Sequence, residues 1–260
     1  MTTVREIYDF IDGFAPFRTQ DRFDNSGLLV GDGDDPVTKA AVCLDITNDV
    51  IEEAARAGAE LIVSHHPVIF VKPARIGRDS PVYRLIRNGI DALCVHTPID
   101  MAKGGISDLM ARLIDFPDPG QAEVLHIIHP AEGIGYGKIF RLREETTAEE
   151  LAEKAKAAFG CTVVRYIDGG KPIRTAAVCS GAGNDEIYAC IEKGVDALIT
   201  GDVKHHGFID AKNAGVTVID AGHYHTETII CEPLLEKLRE RFPGVEFFLA
   251  QAASDCCRYV

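Results

Sequence analysis

Basic charge, spaced cysteines and long apolar runs are all scarce in this chain. Lys and Arg number 27 against 40 Asp and Glu, a formal net charge of -13 over 260 residues. That balance argues against wrapping a nucleic-acid backbone or docking on an anionic membrane, since either needs a basic patch. Small molecules, metal ions or proteins are the partners it leaves. No stretch approaches the roughly 18 to 20 consecutive apolar residues of a membrane span. The N-terminal MTTVREIYDFIDGF lacks the basic region and apolar run of an export signal. The eight cysteines never fall in a CxxC spacing and are scattered through apolar stretches, as at Cys43, Cys94, Cys179 and Cys190. No disulfide framework is expected, and a reducing, cytoplasmic setting follows. Low-complexity segments and heptad runs are missing too.

What is present is a recurring pattern. AGAELIVSHH (57–66), NGIDALCVH (88–96), KGVDALITGDVKHH (193–206) and AGVTVIDAGHYH (214–225) each begin with a glycine suited to ending a helix. Each then runs through a short apolar stretch and stops in polar, metal-capable side chains. They read as buried strands of mainly parallel sheets with ligands at their carboxyl ends, where open α/β sheets place their sites. Seven of the nine histidines lie in these segments. Capping boxes, Thr3 with Glu6 and Thr147 with Glu150, open helices between the strands, and Gly160 closes the second. Strands are expected at 40–46, 60–64, 91–96, 175–180, 196–200 and 217–220, giving an α/β class. Residues 40–66 and 175–206 echo one another as strand, helix, strand, polar tip. The chain is therefore expected to form two similar α/β lobes, 1–125 and 126–260, joined near FPDPGQ (116–121), with the C-terminal segment packing back on the first lobe.

Three constellations carry chemistry. In Ser64-His65-His66-Pro67 the adjacent imidazoles leave a strand in different directions, serving two metals, or one metal and its surroundings, or simply loop carbonyls. His96 ends a strand and Asp100 follows a proline-directed turn. Asp100 is either a hard oxygen ligand or a cap for the helix SDLMARLI, and His96 either binds or orients a bound water. In Gly222-His223-Tyr224-His225-Thr226-Glu227, Glu227 comes near His223 across a turn. It either bridges a pair of cations or simply favours a helix N-terminus that Thr226 caps. Together these supply mixed N and O ligands suited to Zn, Mn, Fe, Co or Mg. Asp202, His205 and His206 either line the site or form an ordinary strand-to-helix connection. The GxG loop at 181–183 offers amides for a phosphate but has Glu186 where a third glycine would stand. Cys256 and Cys257 are adjacent, not spaced for a metal, and receive no role.

These residues, in this order, resemble the GTP cyclohydrolase 1 type 2 homologues, also called Ngg-one-interacting factor three-like proteins. The resemblance rests on Asp24 and Asn25 with Gly27, Leu28, Val30 and Gly31, on SHHPVIF (64–70), and on His96 with Asp100. It also rests on the GxG loop, TGDVKHH (200–206) and GHYHTE (222–227). It implies two α/β lobes with a dinuclear metal site in the cleft between them, and ring-like homohexamers. Carried over, the ligands of two divalent metal ions per chain (Zn, Fe, Mn, Co or Mg) are His65, His66, Asp100, His223 and Glu227, with Glu227 bridging and His96 outside the ligand set. The stretch 115–175 has room only for a short strand-helix-strand piece, which marks a compact form, and the ending SDCCRYV departs from the family's proline-containing one. The implied function is a metal-dependent hydrolase acting through a metal-activated water on a nucleotide-like or phosphorylated small molecule. The alternative is a non-catalytic metal-binding adaptor or metal-delivery protein. A calcineurin-like phosphoesterase fits poorly, because the first strand gives only LDIT (44–47) and no GNH occurs.

Overall fold

The computed structural model describes residues 1–117, 119–258 and 260. Along the chain come α1 (Val4–Asp12), β1 (Gly27–Val30), β2 (Lys39–Cys43), α2 (Asn48–Ala57), β3 (Leu61–Ser64), α3 (Pro81–Asn88), β4 (Asp91–Cys94) and α4 (Thr97–Met101). There follow α5 (Ile106–Leu113), β5 (Glu123–His129), β6 (Ile134–Thr146), α6 (Ala148–Ala158), β7 (Arg165–Ile167), β8 (Ile173–Ala182) and α7 (Glu186–Lys193). The chain continues through β9 (Ala197–Gly201), α8 (His205–Ala214), β10 (Thr217–Asp220), α9 (His223–Glu227), α10 (Cys231–Arg241) and β11 (Glu246–Leu249).

The chain divides into two compact units, Met1–Ile99 with Ile230–Cys256, and Asp100–Ile229 with Cys257–Val260. The division falls inside α4, whereas the sequence suggested 125/126. The C-terminal segment belongs with the first unit because β11 pairs in parallel with β2, Glu246 opposite Lys39. Of the FPDPGQ junction and the SDCCRYV ending, residues 118 and 259 lie outside the described residues.

The first unit holds a five-stranded sheet, β1-β4-β3-β2-β11, parallel except for β1 against β4. β3 and β4 are buried at every position, so both faces are covered. On one face α2 and α3 bury Val50, Ile51, Ala54 and Leu85 against Ala41, Cys43, Ile62 and Ala92. The sequence shows why α2 forms there. Thr47 accepts from Val50 N as N-cap, and Gly58 at φ 73 ends the helix.

The second unit holds a six-stranded sheet, β5-β6-β8-β9-β10-β7. Here the expected mainly parallel sheet is corrected. Only β8-β9 and β9-β10 pair in parallel, while β5-β6, β6-β8 and β7-β10 are antiparallel, so the sheet is mixed. The physical reason is local. Residues 123–146 fold as a hairpin, which forces antiparallel neighbours, and the 115–175 stretch is strand-strand-helix-strand, with one more strand than expected. α7 and α8 pack Ile187, Cys190 and Ala211 on Ala177, Leu198 and Val218. Both echoing stretches do fold as strand-helix-strand with parallel strands, β2-α2-β3 and β8-α7-β9. Among the described residues no helix is long and apolar enough to cross a membrane.

Candidate metal centre

In the first unit three imidazoles converge. β3 and β4 are parallel neighbours with Ser64 opposite Cys94, so the residues that follow leave the same sheet edge. His65, His66 and His96 therefore emerge together, their ligand-capable atoms within 4.8 Å of one another. The ring centroids are 4.8 Å apart for His65 and His66, 5.2 Å for His65 and His96, and 5.4 Å for His66 and His96. Each ring commits its Nδ1 to an oxygen. His65 Nδ1 lies 3.1 Å from the Val95 carbonyl, His66 Nδ1 2.7 Å from Asp45 Oδ1, and His96 Nδ1 2.8 Å from Asp24 Oδ1. A carbonyl or carboxylate only accepts, so Nδ1 carries the proton and, in the neutral ring, Nε2 is the atom that could hold a cation.

In the second unit β9 and β10 run in parallel with Thr200 opposite Asp220, which brings Asp202 beside His223. His223 Nδ1 meets Asp202 Oδ2 at 2.8 Å, and its Nε2 lies 2.9 Å from Glu227 Oε2. Burial works against a charge on His223, but Glu227 and Asp202 outweigh it and raise its pKa to about 9. At neutral pH His223 therefore holds a proton between two carboxylates, and binding a cation through Nε2 and Glu227 means giving that proton up. Asp100 is buried, and its Oδ1 accepts from Ser180 Oγ at 2.8 Å. Carboxylate oxygens of Asp100 and Glu227 come within 4.8 Å of each other. A cradle lies beside them. Gly181 has φ +64, and a Cβ there would approach Glu227 Oε1 to 2.2 Å. The oriented imidazoles of the first unit, and the imidazole with two buried carboxylates of the second, are each donors of the kind that borderline divalent cations accept.

Other expectations resolve differently. Asp100 does not cap α5, whose N-cap is Gly105. Thr226 and Glu227 end the short α9 instead of opening a helix, so neither the cap nor the dipole explanation holds for them. Thr226 Oγ1 instead donates to the carbonyls of Gly222 and His223 and accepts from Gly181 N at 3.0 Å. The GxG amides are used within the fold, Gly181 N on Thr226 and Gly183 N on the Gly201 carbonyl, which removes the phosphate role. His205 and His206 are exposed at the start of α8. Glu186 is buried with its Oε1 2.9 Å from His126 Nδ1. The thiols of Cys43, Cys94 and Cys179 are pushed far up by burial and stand as core residues.

Sequence reasoning missed the groups that hold the rings. Asp45 follows β2 and Asp24 lies in an irregular loop. Asp220 at the tip of β10 accepts from Gly222 N at 3.0 Å and Val203 N at 3.1 Å and pairs with Arg165, tying the Asp202 loop to the His223 turn. An aspartate directly after an apolar strand, as in CLD and VID, was the available signal.

The sequence profile of the Duf34/NIF3 (NGG1p interacting factor 3) family matches residues 2–255. A Clostridium perfringens protein named GTP cyclohydrolase 1 type 2 homolog is 33% identical over 264 residues, covering 99% of each chain. NGG1-interacting factor 3 of Saccharomyces cerevisiae is 27% identical, covering 88% of this chain and 87% of that one. The crystal structure of a Bacillus cereus protein related to NIF3 superposes with a TM-score of 0.90 at 22% identity, covering 100% of this chain and 99% of that one, which shows the shared fold. With the family profile matched from residue 2 to 255 and a third of the residues shared with a full-length relative, the chain belongs to the Duf34/NIF3 family.

Proposed function

We propose that this protein is a dinuclear metal-dependent hydrolase acting on a nucleotide-like or phosphorylated small molecule. Two divalent cations would be held by His65, His66, Asp100, His223 and Glu227. The observation that supports this most strongly is the shared posture of four imidazoles, each with Nδ1 held on an oxygen, the orientation that partners of metal-binding imidazoles impose. The first unit offers imidazole nitrogens, and the second offers an imidazole with the carboxylates that dications favour. Two bound dications would supply Lewis acidity and a water acidic enough to attack at neutral pH. The chain's own residues hold and orient. Asp45, Asp202 and the Val95 carbonyl set the ring nitrogens, Ser180 steadies Asp100, and His96, backed by Asp24, would take up a proton at Nε2. The cytoplasmic setting and the homohexamer implied by the family resemblance belong to the same proposal.

The test is elemental analysis of protein purified without chelator, with His65→Ala and Glu227→Ala alongside, followed by turnover of a panel of nucleotides and phosphoesters. About two metals per chain, lost in both variants, with metal-dependent turnover, is the expected result. Absence of metal, with no uptake of Zn, Mn or Fe, would refute the centre. Retained metal without turnover of any panel member would refute the hydrolase and leave the adaptor.

A further inference from the structure

Two large aromatic side chains stand in solvent beside the first unit's imidazoles. Phe23 is 57% exposed and Phe70 50% exposed, although both have close ring neighbours. Their centroids are 6.1 Å apart with the planes tilted by 54°, and they lie 6.5 Å and 6.0 Å from the His96 ring. Exposed apolar rings clustered at a polar site mark a surface awaiting a partner. Their placement is also fixed from behind. Phe23 precedes Asp24, which holds His96 Nδ1 at 2.8 Å and Ser26 Oγ at 2.7 Å. Phe70 follows Ile69, whose carbonyl accepts from Asn25 Nδ2 at 2.6 Å. The loop carrying one ring is thus latched to the loop carrying the other, and both are tied to the imidazole between them.

We propose that Phe23 and Phe70 form an aromatic clamp that seats the planar ring of a ligand beside His96, making aromatic heterocycles the class of molecule this site selects. The rings lie against one another and each is about half exposed, so a planar group can stack on or meet edge-on the surface they leave open, the two arrangements in which aromatic groups attract. Phenyl rings offer no hydrogen-bonding groups, so the clamp reads aromaticity and accepts different bases alike. The proposal rests on the metal-centre reading for what binds the rest of the ligand, and it names the substrate class of that site.

The experiment uses the full, metal-replete chain and calorimetric titration with guanosine and uridine 5′-monophosphates against ribose 5-phosphate, which has the same phosphate and no base. Both nucleotides should bind more tightly than the sugar phosphate. Phe23→Leu and Phe70→Leu should each weaken that preference by about five- to one-hundredfold, leaving ribose 5-phosphate binding and metal content unchanged. Phe23→Tyr and Phe70→Tyr should restore it. Nucleotides that bind no better than ribose 5-phosphate, absence of binding by all three included, or Leu variants that keep the preference, would overturn the clamp. Metal content separates the two ideas. A Phe-dependent preference in protein that binds no metal would sink the metal centre and keep the clamp, while two retained metals with no preference would do the reverse.

Discussion

Replacing Asp24 with asparagine removes one charge and one acceptor oxygen from a point where five donors meet. The carboxylate is fully buried, at 0% side-chain exposure. Its Oδ1 accepts from His96 Nδ1 at 2.8 Å and Asn25 N at 2.6 Å, and its Oδ2 from Ser26 Oγ at 2.7 Å, Thr97 Oγ1 at 2.6 Å and Thr97 N at 3.2 Å. An asparagine amide placed either way sets its NH2 against an N–H that has no second role, Thr97 N on one side or His96 and Asn25 on the other. Bonds to a charged acceptor contribute about 1.5–3 kcal/mol each, and a buried donor left unsatisfied costs about 1–3 kcal/mol, so Asp24→Asn should destabilise by about 3 kcal/mol at pH 7. The pH dependence has a definite sign. Burial opposes the charge, but His96, Thr97 and Ser26 hold the Asp24 pKa well below the usual carboxylate range. A folded pKa below the unfolded value of about 3.9 gives stability that is complete above that value and lost as pH falls through the folded pKa. The gap between wild type and variant should be full at pH 7 and narrow below about pH 4. Urea unfolding at the two pH values measures it, and nitrogen chemical shifts of His96 report whether Nδ1 keeps its proton. Equal urea midpoints at pH 7, together with an unchanged His96 tautomer, would refute the assignment of Asp24 as the group that fixes this ring.

Two further substitutions test other parts of the structure. Gly181→Ala adds a Cβ 2.2 Å from Glu227 Oε1 at a residue with φ +64. Left-handed backbone costs a non-glycine residue about 1–2 kcal/mol. A fall in melting temperature, and a loss of bound metal matching that of Glu227→Ala, should follow; normal metal content would show that Glu227 is not held against this glycine. Asp91 is pushed up to about 7 by burial, then by Asp35 and Asp32, with Gly31 packed so closely that a Cβ there would lie 1.8 Å from its Oδ1. A folded pKa above the unfolded one favours folding at low pH, and the benefit is lost as pH rises toward 7. Asp91→Asn, which keeps the neutral shape, should therefore match wild type near pH 4 and exceed it by about 2 kcal/mol at pH 8 after allowance for solvent screening. Denaturation curves that run parallel at both pH values would remove the carboxyl pair from the account.

Much of the first unit was readable because its strands are short, apolar and bounded by helix-ending glycines. LIVS and DALC could be placed as buried strands, and the polar residues after them as strand tips, from local pattern alone. The second sheet was less readable. In β5 only Leu125 is buried, and in β6 only Gly135, Gly137 and Phe140, too weak an alternation to mark a hairpin. The turn at 222–227 was placed near its partners but in the wrong local structure, because five residues of helix ending at Glu227 leave no periodic signal. Phe70 closes the SHHPVIF stretch and Phe23 stands outside every motif, and neither could be given a role, since exposure of an aromatic is a property of the folded surface.

The least readable part was which oxygen holds which imidazole, and the sheet register supplies the reason. In the first unit Cys43 pairs with Ser64, and two residues beyond that pair Asp45 meets His66. The amide of His66 still donates to the Leu44 carbonyl at 2.9 Å, so the ladder continues past the strands and carries both side chains to the same level. In the second unit Thr200 pairs with Asp220, and just beyond that pair Asp202 meets His223. Both units thus use an aspartate released by one parallel strand to orient an imidazole released by the next. The device aligns β2-β3 with β9-β10, whereas the echo visible in the sequence aligns β2-β3 with β8-β9. Sequence similarity follows the hydrophobic strand-helix-strand pattern, which many neighbours share, but ring orientation depends on the register at which two adjacent strands end.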